Sequence, residues 1–152
     1  MLISVHGAVG ALIGENINSS LWAFLLAFIS HFALDLIPHG DQHQVEYYKS
    51  KKRLNKIANL LATDSVVALI FFALYFDARQ PLPITPSIIW GVVGGILPDL
   101  LVAIYNLNRR FFFRFNYIHH RIHQTFKLHI PFTIAFIIQI GFLFLLWQLY
   151  QR

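Results

Sequence analysis

The chain has 152 residues, of which 57% are apolar and 12% carry a charged side chain, and its formal net charge is +5. Soluble domains contain about 25% charged residues, so this composition predicts a membrane protein and argues against a soluble domain. The sequence contains no cysteine, which excludes disulfides and thiolate metal ligands, so any metal must be held by nitrogen and oxygen atoms.

The first apolar stretch covers residues 2–14 and is short. A helix needs about 20 apolar residues to cross a bilayer upright, so this stretch predicts a membrane-embedded helix that does not span fully. It is not typical of a cleaved signal peptide, because no lysine or arginine precedes it and His6 interrupts the apolar run.

Four longer apolar stretches follow in chain order, each approaching or reaching the length of a transmembrane helix. They cover residues 21–38, 57–76, 88–105 and 130–150. The sequence therefore predicts an all-α, polytopic transmembrane bundle of four full spans plus the short N-terminal helix. We expect residues 1–152 to form one integral-membrane domain.

The basic residues are concentrated between these stretches. The segments 49–56 and 109–127 each contain five lysine or arginine residues, whereas residues 77–86 contain one and residues 15–20 contain none. The positive-inside rule places the two basic segments and the N-terminus on the cytoplasmic side. This distribution explains the net charge without a nucleic-acid partner, and the small polytopic design favours a prokaryotic cytoplasmic membrane.

Three aspartates, Asp35, Asp64 and Asp99, lie within apolar stretches that contain no lysine or arginine. An ionisable group inside a bilayer costs a few kcal/mol, so such groups usually face the bundle interior and are paired or functional. Helical rise places the three carboxylates, His6 and His31 at similar depths near the cytoplasmic side. A shared metal cation would neutralise them most simply, although each residue alone could be a packing or hydrogen-bonding contact.

Local spacing supports a metal site. His31 and Asp35 are four residues apart, hence on one helix face, and His119 and His123 in YIHHRIHQ have the same spacing. A cysteine-free donor set suits zinc first, with manganese or iron as alternatives, and this many candidates can hold two ions. The predicted metal ligands are His6, His31, Asp35, Asp64, Asp99, His119 and His123.

Pro38 disfavours helical geometry at the preceding residue, so the second apolar helix should end near it. The turn that follows carries His39, Asp41 and His43 and can fold back over the predicted metal site. We expect hydrolysis of a phosphoester or lipid-like substrate at the cytoplasmic interface, with metal-bound water as the nucleophile. The predicted acid or base is one of Asp41, His39 and His120.

The motifs HGAVGALIG, SHFALDLIPHGD, LPD and the HH-rich segment resemble small integral-membrane proteins described as membrane-bound metal-dependent hydrolases, over most of the chain. HFALDLIPH is also locally similar, over about ten residues, to the His-x-x-x-Asp metal pair of zinc-dependent phospholipases C. The resemblance implies an integral-membrane metalloprotein with a hydrolase activity. It implies His6, His31, Asp35 and Asp99 as the first ligands, and His39, His119 and His120 as further ligands or proton-transfer groups.

Two other functions fit the same residues. In a transport protein, Asp35, Asp64 and Asp99 would form a proton or cation relay, but the outer halves of the helices have almost no ionisable residues to continue it. In a non-catalytic membrane protein, the histidines would hold a structural metal with no open coordination position. The sequence does not separate the structural site from a catalytic one.

Overall fold

The computed structural model describes residues 1–39, 53–78, 84–126 and 130–151, and these residues form six α-helices and no strand. The prediction of an all-α chain is confirmed for this part of the sequence. The helices are α1 (Ile3–Asn16), α2 (Ser20–Asp35), α3 (Arg53–Ala78), α4 (Pro86–Leu107), α5 (Phe113–His123) and α6 (Phe132–Tyr150).

Local sequence signals account for the helix ends that matter for the site. The Ser19 hydroxyl accepts a hydrogen bond from the Trp22 backbone N–H at the start of α2, and the Thr85 hydroxyl accepts one from Ile88 at the start of α4. Pro86 occupies the first turn of α4, where its missing N–H costs nothing. At its other end α2 stops at Asp35, three residues before Pro38.

Glycines let α4 pack directly against the backbones of α1 and α2. A Cβ atom added to Gly10 would collide with the carbonyl oxygen of Gly91, and one added to Gly94 would collide with the carbonyl oxygen of Phe24. An added Cβ at Gly95 would collide with the carbonyl oxygen of His6. This close packing brings the parts of α1, α2 and α4 that carry ionisable side chains into contact.

The short helix α1 is the centre of the fold, since it contacts α2, α3, α4 and α6. The Tyr150 hydroxyl at the end of α6 donates a hydrogen bond of 2.5 Å to the Ala8 carbonyl. The rings of Tyr75 and Tyr150 meet edge to face at 4.5 Å. The buried apolar core on this side of α1 consists of Leu2, Val5, Ala8, Ala11, Phe71, Tyr75, Ile88, Leu143, Leu146 and Tyr150.

The segment that contains the later histidines forms the separate helix α5, packed against α2 and α4. Its Phe115 ring lies 6.4 Å from Phe28 and 6.2 Å from Phe32 on α2. Phe112 directly before it adopts a left-handed conformation with φ of 56°. As a result, His119 is buried against α2, whereas His120 is exposed.

The predicted count of four full spans is wrong for this part of the chain. Among the described residues, only Pro86–Asn106 and Thr133–Tyr150 are long and apolar enough to cross a membrane. Helix α2 is apolar but has 16 residues, because it ends at Asp35. Helix α3 has 26 residues, but its first half contains Arg53, Lys56 and Asp64, which interrupt the apolar run.

Candidate metal centre

The carboxylate of Asp35 is completely buried at the last turn of α2, and its Oδ2 atom faces three imidazoles. The Nε2 atom of His31, one turn earlier on α2, lies 3.0 Å away. The Nε2 atoms of His119 and His123, both on α5, lie at 3.3 Å and 2.8 Å. The predicted pairs His31/Asp35 and His119/His123 thus meet at one carboxylate oxygen.

The other carboxylate oxygen of Asp35 faces α1. Oδ1 lies 3.2 Å from Nε2 of His6 and 3.0 Å from the amino group of Met1. The His6 ring stacks on the His31 ring at 3.9 Å, and neither of its nitrogens makes a hydrogen bond with a described residue. His6 therefore lies beside the imidazoles that face Oδ2, in contact with the opposite side of the carboxylate.

Asp99 on α4 completes the group on its more open side. Its Oδ1 atom lies 3.6 Å from Nε2 of His119 and 3.8 Å from Nε2 of His31. The Asp99 side chain is 20% exposed, whereas those of His31 and Asp35 are fully buried. Solvent therefore reaches this group of donors from the side of Asp99.

The protonation of His31 follows from its backbone partner. Its Nδ1 atom lies 2.7 Å from the Gly95 carbonyl oxygen, which can only accept a hydrogen bond, so Nδ1 carries a proton. In the neutral ring Nε2 then has a lone pair, directed at the acceptor Oδ2 of Asp35. Two acceptors 3.0 Å apart repel unless a proton or a metal cation lies between them. A backbone hydrogen bond to the far ring nitrogen is also what orients most metal-binding histidines.

The distances within the group suit a small cation. Two donors that each lie about 2.0–2.1 Å from a tetrahedral zinc ion are roughly 3.3 Å from each other. The Nε2 atoms of His31 and His119 are 3.1 Å apart. All the donor distances given above for His31, Asp35, Asp99 and His119 lie between 3.0 and 3.8 Å. Candidate ligand atoms from these four residues all lie within 4.8 Å of one another.

A second set of donors shares Asp35 with the first. Candidate ligand atoms of Asp35, His39 and His123 also lie within 4.8 Å of one another. The Nδ1 atom of His39 lies 2.6 Å from the Ile37 carbonyl oxygen, so it carries the proton and leaves Nε2 as an acceptor. That Nε2 atom lies 2.6 Å from the Met1 amino group.

Three of the predicted site residues are not part of this cluster. The Asp64 carboxylate accepts hydrogen bonds from the backbone N–H groups of Ile3 and Ser4, at 2.6 Å and 3.1 Å, at the start of α1. His120 points outward and forms a hydrogen bond of 2.7 Å with the Gln124 side chain. Asp41, the third, lies outside the described residues, as does His43.

The backbone carbonyls of Gly95 and Ile37, which fix the orientation of two histidines, are not among the predicted site residues. Any residue type supplies a carbonyl oxygen, so composition gives no sign of them. The one available signal is the Gly94–Gly95 pair ahead of Pro98 and Asp99 in α4. Paired glycines in an apolar helix indicate a close backbone contact, and here Gly95 contacts both α1 and α2.

Fold and site together define an all-helical protein with two helices apolar enough to span a membrane and a buried His/Asp cluster that could hold a metal ion. The chain matches no protein-family model, no curated protein and no solved structure.

Proposed function

We propose that this protein is a membrane-embedded metal-dependent hydrolase that acts on a phosphoester or lipid-like substrate at the cytoplasmic interface. Zinc is the first choice of metal, held by His31, Asp35, Asp99 and His119. The observation that carries the proposal is the contact between Nε2 of His31 and Oδ2 of Asp35, 3.0 Å apart, with the ring proton held at Gly95. The proposal also rests on the resemblance of the sequence motifs to membrane-bound metal-dependent hydrolases.

The apolar exterior supports the membrane part of the proposal. Large apolar side chains are exposed along α2, α3, α4 and α6, including Leu69, which is 71% exposed, and Ile137, which is 64% exposed. A contiguous apolar exterior of this kind is costly in water and is satisfied by lipid. The positive-inside rule then orients the basic residues around α5, and with them the proposed site, toward the cytoplasm.

A divalent cation bound at these donors would supply a bound water of lowered pKa and would polarise a phosphoryl oxygen. The protein residues have separate tasks. Gly95 orients His31, α5 positions His119, and Asp99 leaves the site open on its exposed side. A catalytic zinc site needs such an open position, and zinc can expand to five ligands in the transition state. Of the three residues predicted to transfer protons, only His39 contacts the cluster.

The test is metal analysis combined with a hydrolysis assay on protein purified in mild detergent. The substrates are p-nitrophenyl phosphate, bis-p-nitrophenyl phosphate and a short-chain phospholipid in mixed micelles. We expect stoichiometric zinc and hydrolysis of at least one substrate by the wild type. Asp99→Asn should reduce kcat/KM at least tenfold, since loss of a charged contact to the site costs about 1.4 kcal/mol or more.

Asp77→Asn is the matched control, because Asp77 is an exposed carboxylate on α3 outside the cluster. It should keep the metal content and the activity of the wild type. Absence of stoichiometric metal from the wild type would overturn the proposal. Bound zinc without hydrolysis of any substrate would replace it with a structural metal, and cation flux into liposomes without hydrolysis would replace it with transport.

A further inference from the structure

We propose that the cluster binds a second divalent cation between Asp35, His39 and His123, so that the Asp35 carboxylate bridges two ions. The inference rests on the proposed function, because the first ion is the one assigned to His31, Asp35, Asp99 and His119. It also makes the substrate class narrower, since a bridged pair of ions is suited to phosphoester hydrolysis.

The donors of the second set converge on one position. The His123 Nε2 atom lies 2.8 Å from Oδ2 of Asp35, and the rings of His39 and His123 meet edge to face with centroids 5.0 Å apart. Candidate ligand atoms from all three residues lie within 4.8 Å of one another. Donors on one small ion are separated by roughly 3.3 Å in a tetrahedral arrangement and about 4 Å when opposite each other.

The orientation of His39 favours a ligand over a proton-transfer group. Its Nδ1 atom donates to the Ile37 carbonyl across 2.6 Å, which directs the lone pair of Nε2 toward the cluster. The Met1 amino group lies 2.6 Å from this Nε2 and 3.0 Å from Oδ1 of Asp35. This position therefore accommodates a positive charge, and a bound cation would replace the amino group as the partner of His39.

Asp35 is the one residue common to both sets, and it is the one with two oxygen atoms in contact with ligand-type nitrogens. A carboxylate that is fully buried among imidazoles needs positive charge to balance it, and two ions sharing it provide that charge. Two-metal sites hold their ions about 3.5–4 Å apart and stabilise both the attacking and the leaving oxygen of an in-line displacement at phosphorus. We therefore infer a phosphomonoester or phosphodiester substrate, not a carboxylic ester or amide.

The experiment counts ions and measures their separation without any substrate. Purified protein in detergent is stripped with a chelator, desalted and titrated with Mn²⁺, and bound Mn²⁺ is recorded by electron paramagnetic resonance and elemental analysis. The wild type should bind two Mn²⁺ ions per chain and give the spectrum of a magnetically coupled pair. His39→Gln and His123→Gln should each bind one ion and give the spectrum of isolated Mn²⁺.

Glutamine keeps the approximate size and polarity of histidine, and both substitutions lie at helix ends, so each variant should retain the helical content and elution volume of the wild type. Asp77→Asn should still bind two ions. One ion per wild-type chain at saturation, or two coupled ions in both glutamine variants, would overturn the inference. Two coupled ions without phosphoester hydrolysis would disprove the proposed function alone, whereas hydrolysis with a single ion would disprove this inference alone.

Discussion

Asp35 and Asp64 are both buried carboxylates in apolar helices, yet their partners differ. Asp35 faces imidazole nitrogens, whereas Asp64 accepts two hydrogen bonds from the first backbone N–H groups of α1. The first N–H groups of a helix have no partner within the helix, and the helix dipole favours a negative charge there. Asp64 therefore caps α1 from a neighbouring helix, at a distance of 60 positions or more along the chain.

We predict that Asp64→Ala lowers the free energy of unfolding by about 1–3 kcal/mol, because it leaves partly buried N–H groups of α1 without an acceptor. Asp64→Asn should lose less, since its amide oxygen can still accept a hydrogen bond. The measurement is unfolding in mixed detergent micelles followed by circular dichroism, with bound metal determined on the same samples. Metal content should not change in either variant, and the loss of one equivalent would make Asp64 a ligand after all.

The sequence allowed part of the site to be predicted at this scale. His31 and Asp35, and His119 and His123, have a spacing that places each pair on one helix face, whatever the rest of the fold does. The role of Asp64 depends on what lies opposite it in space, and its partners are backbone atoms of a distant segment. The same limit applies to His120, which is adjacent to a cluster residue but on the opposite side of α5.

At the scale of helices, the site depends on how closely α4 approaches α1 and α2. Gly95 orients His31 and Asp99 faces the same imidazole, so α4 contributes to the site only if its backbone reaches the other two helices. Gly91 is the close-contact point with α1, where an added Cβ would collide with the Gly10 carbonyl. Gly141 on α6 offers a contrast, because a Cβ added there meets no atom within 4 Å.

We predict that Gly91→Ala destabilises the protein by about 1–3 kcal/mol, as overpacking does, even though alanine favours helices. It should also weaken metal binding, because α4 must move away with Asp99 and the Gly95 carbonyl. Gly141→Ala is the matched control and should be neutral or stabilising by up to about 1 kcal/mol. Thermal unfolding and Mn²⁺ titration of both variants check this, and equal stability of the two would argue against the close contact of α1 with α4.

Helix positions followed from the apolar runs, but the number of spans did not. Hydropathy reports the composition of a segment and not whether its neighbours are lipid or protein. Residues 2–14 were therefore expected as a peripheral short helix, whereas α1 is surrounded by four other helices. The turn expected after Pro38 lies only partly within the described residues, and its described part, His39, meets the cluster.

At the scale of the whole molecule, the ionisable cluster and the apolar exterior have a fixed relation. Helix α4 has 22 residues, which corresponds to about 33 Å and is enough to cross the hydrocarbon of a bilayer. Asp99 lies in its second half and contacts α5, which follows α4 after a short basic connection. If α4 spans the membrane, the metal cluster is therefore near the interface on the side of residues 109–114, and the side of Ile84 is the opposite one.

The absence of cysteine makes this arrangement directly testable, because a single introduced cysteine is the only thiol in the chain. We predict that Phe111→Cys, at a position 56% exposed, reacts with a membrane-impermeant maleimide only after the cells are permeabilised. Ile84→Cys, at a position 52% exposed, should react in intact cells. The wild-type chain, which cannot react, is the control. Reaction of both positions from the same side would mean that α4 does not span, and the reversed pattern would place the metal cluster, and any substrate it acts on, at the outer face of the membrane.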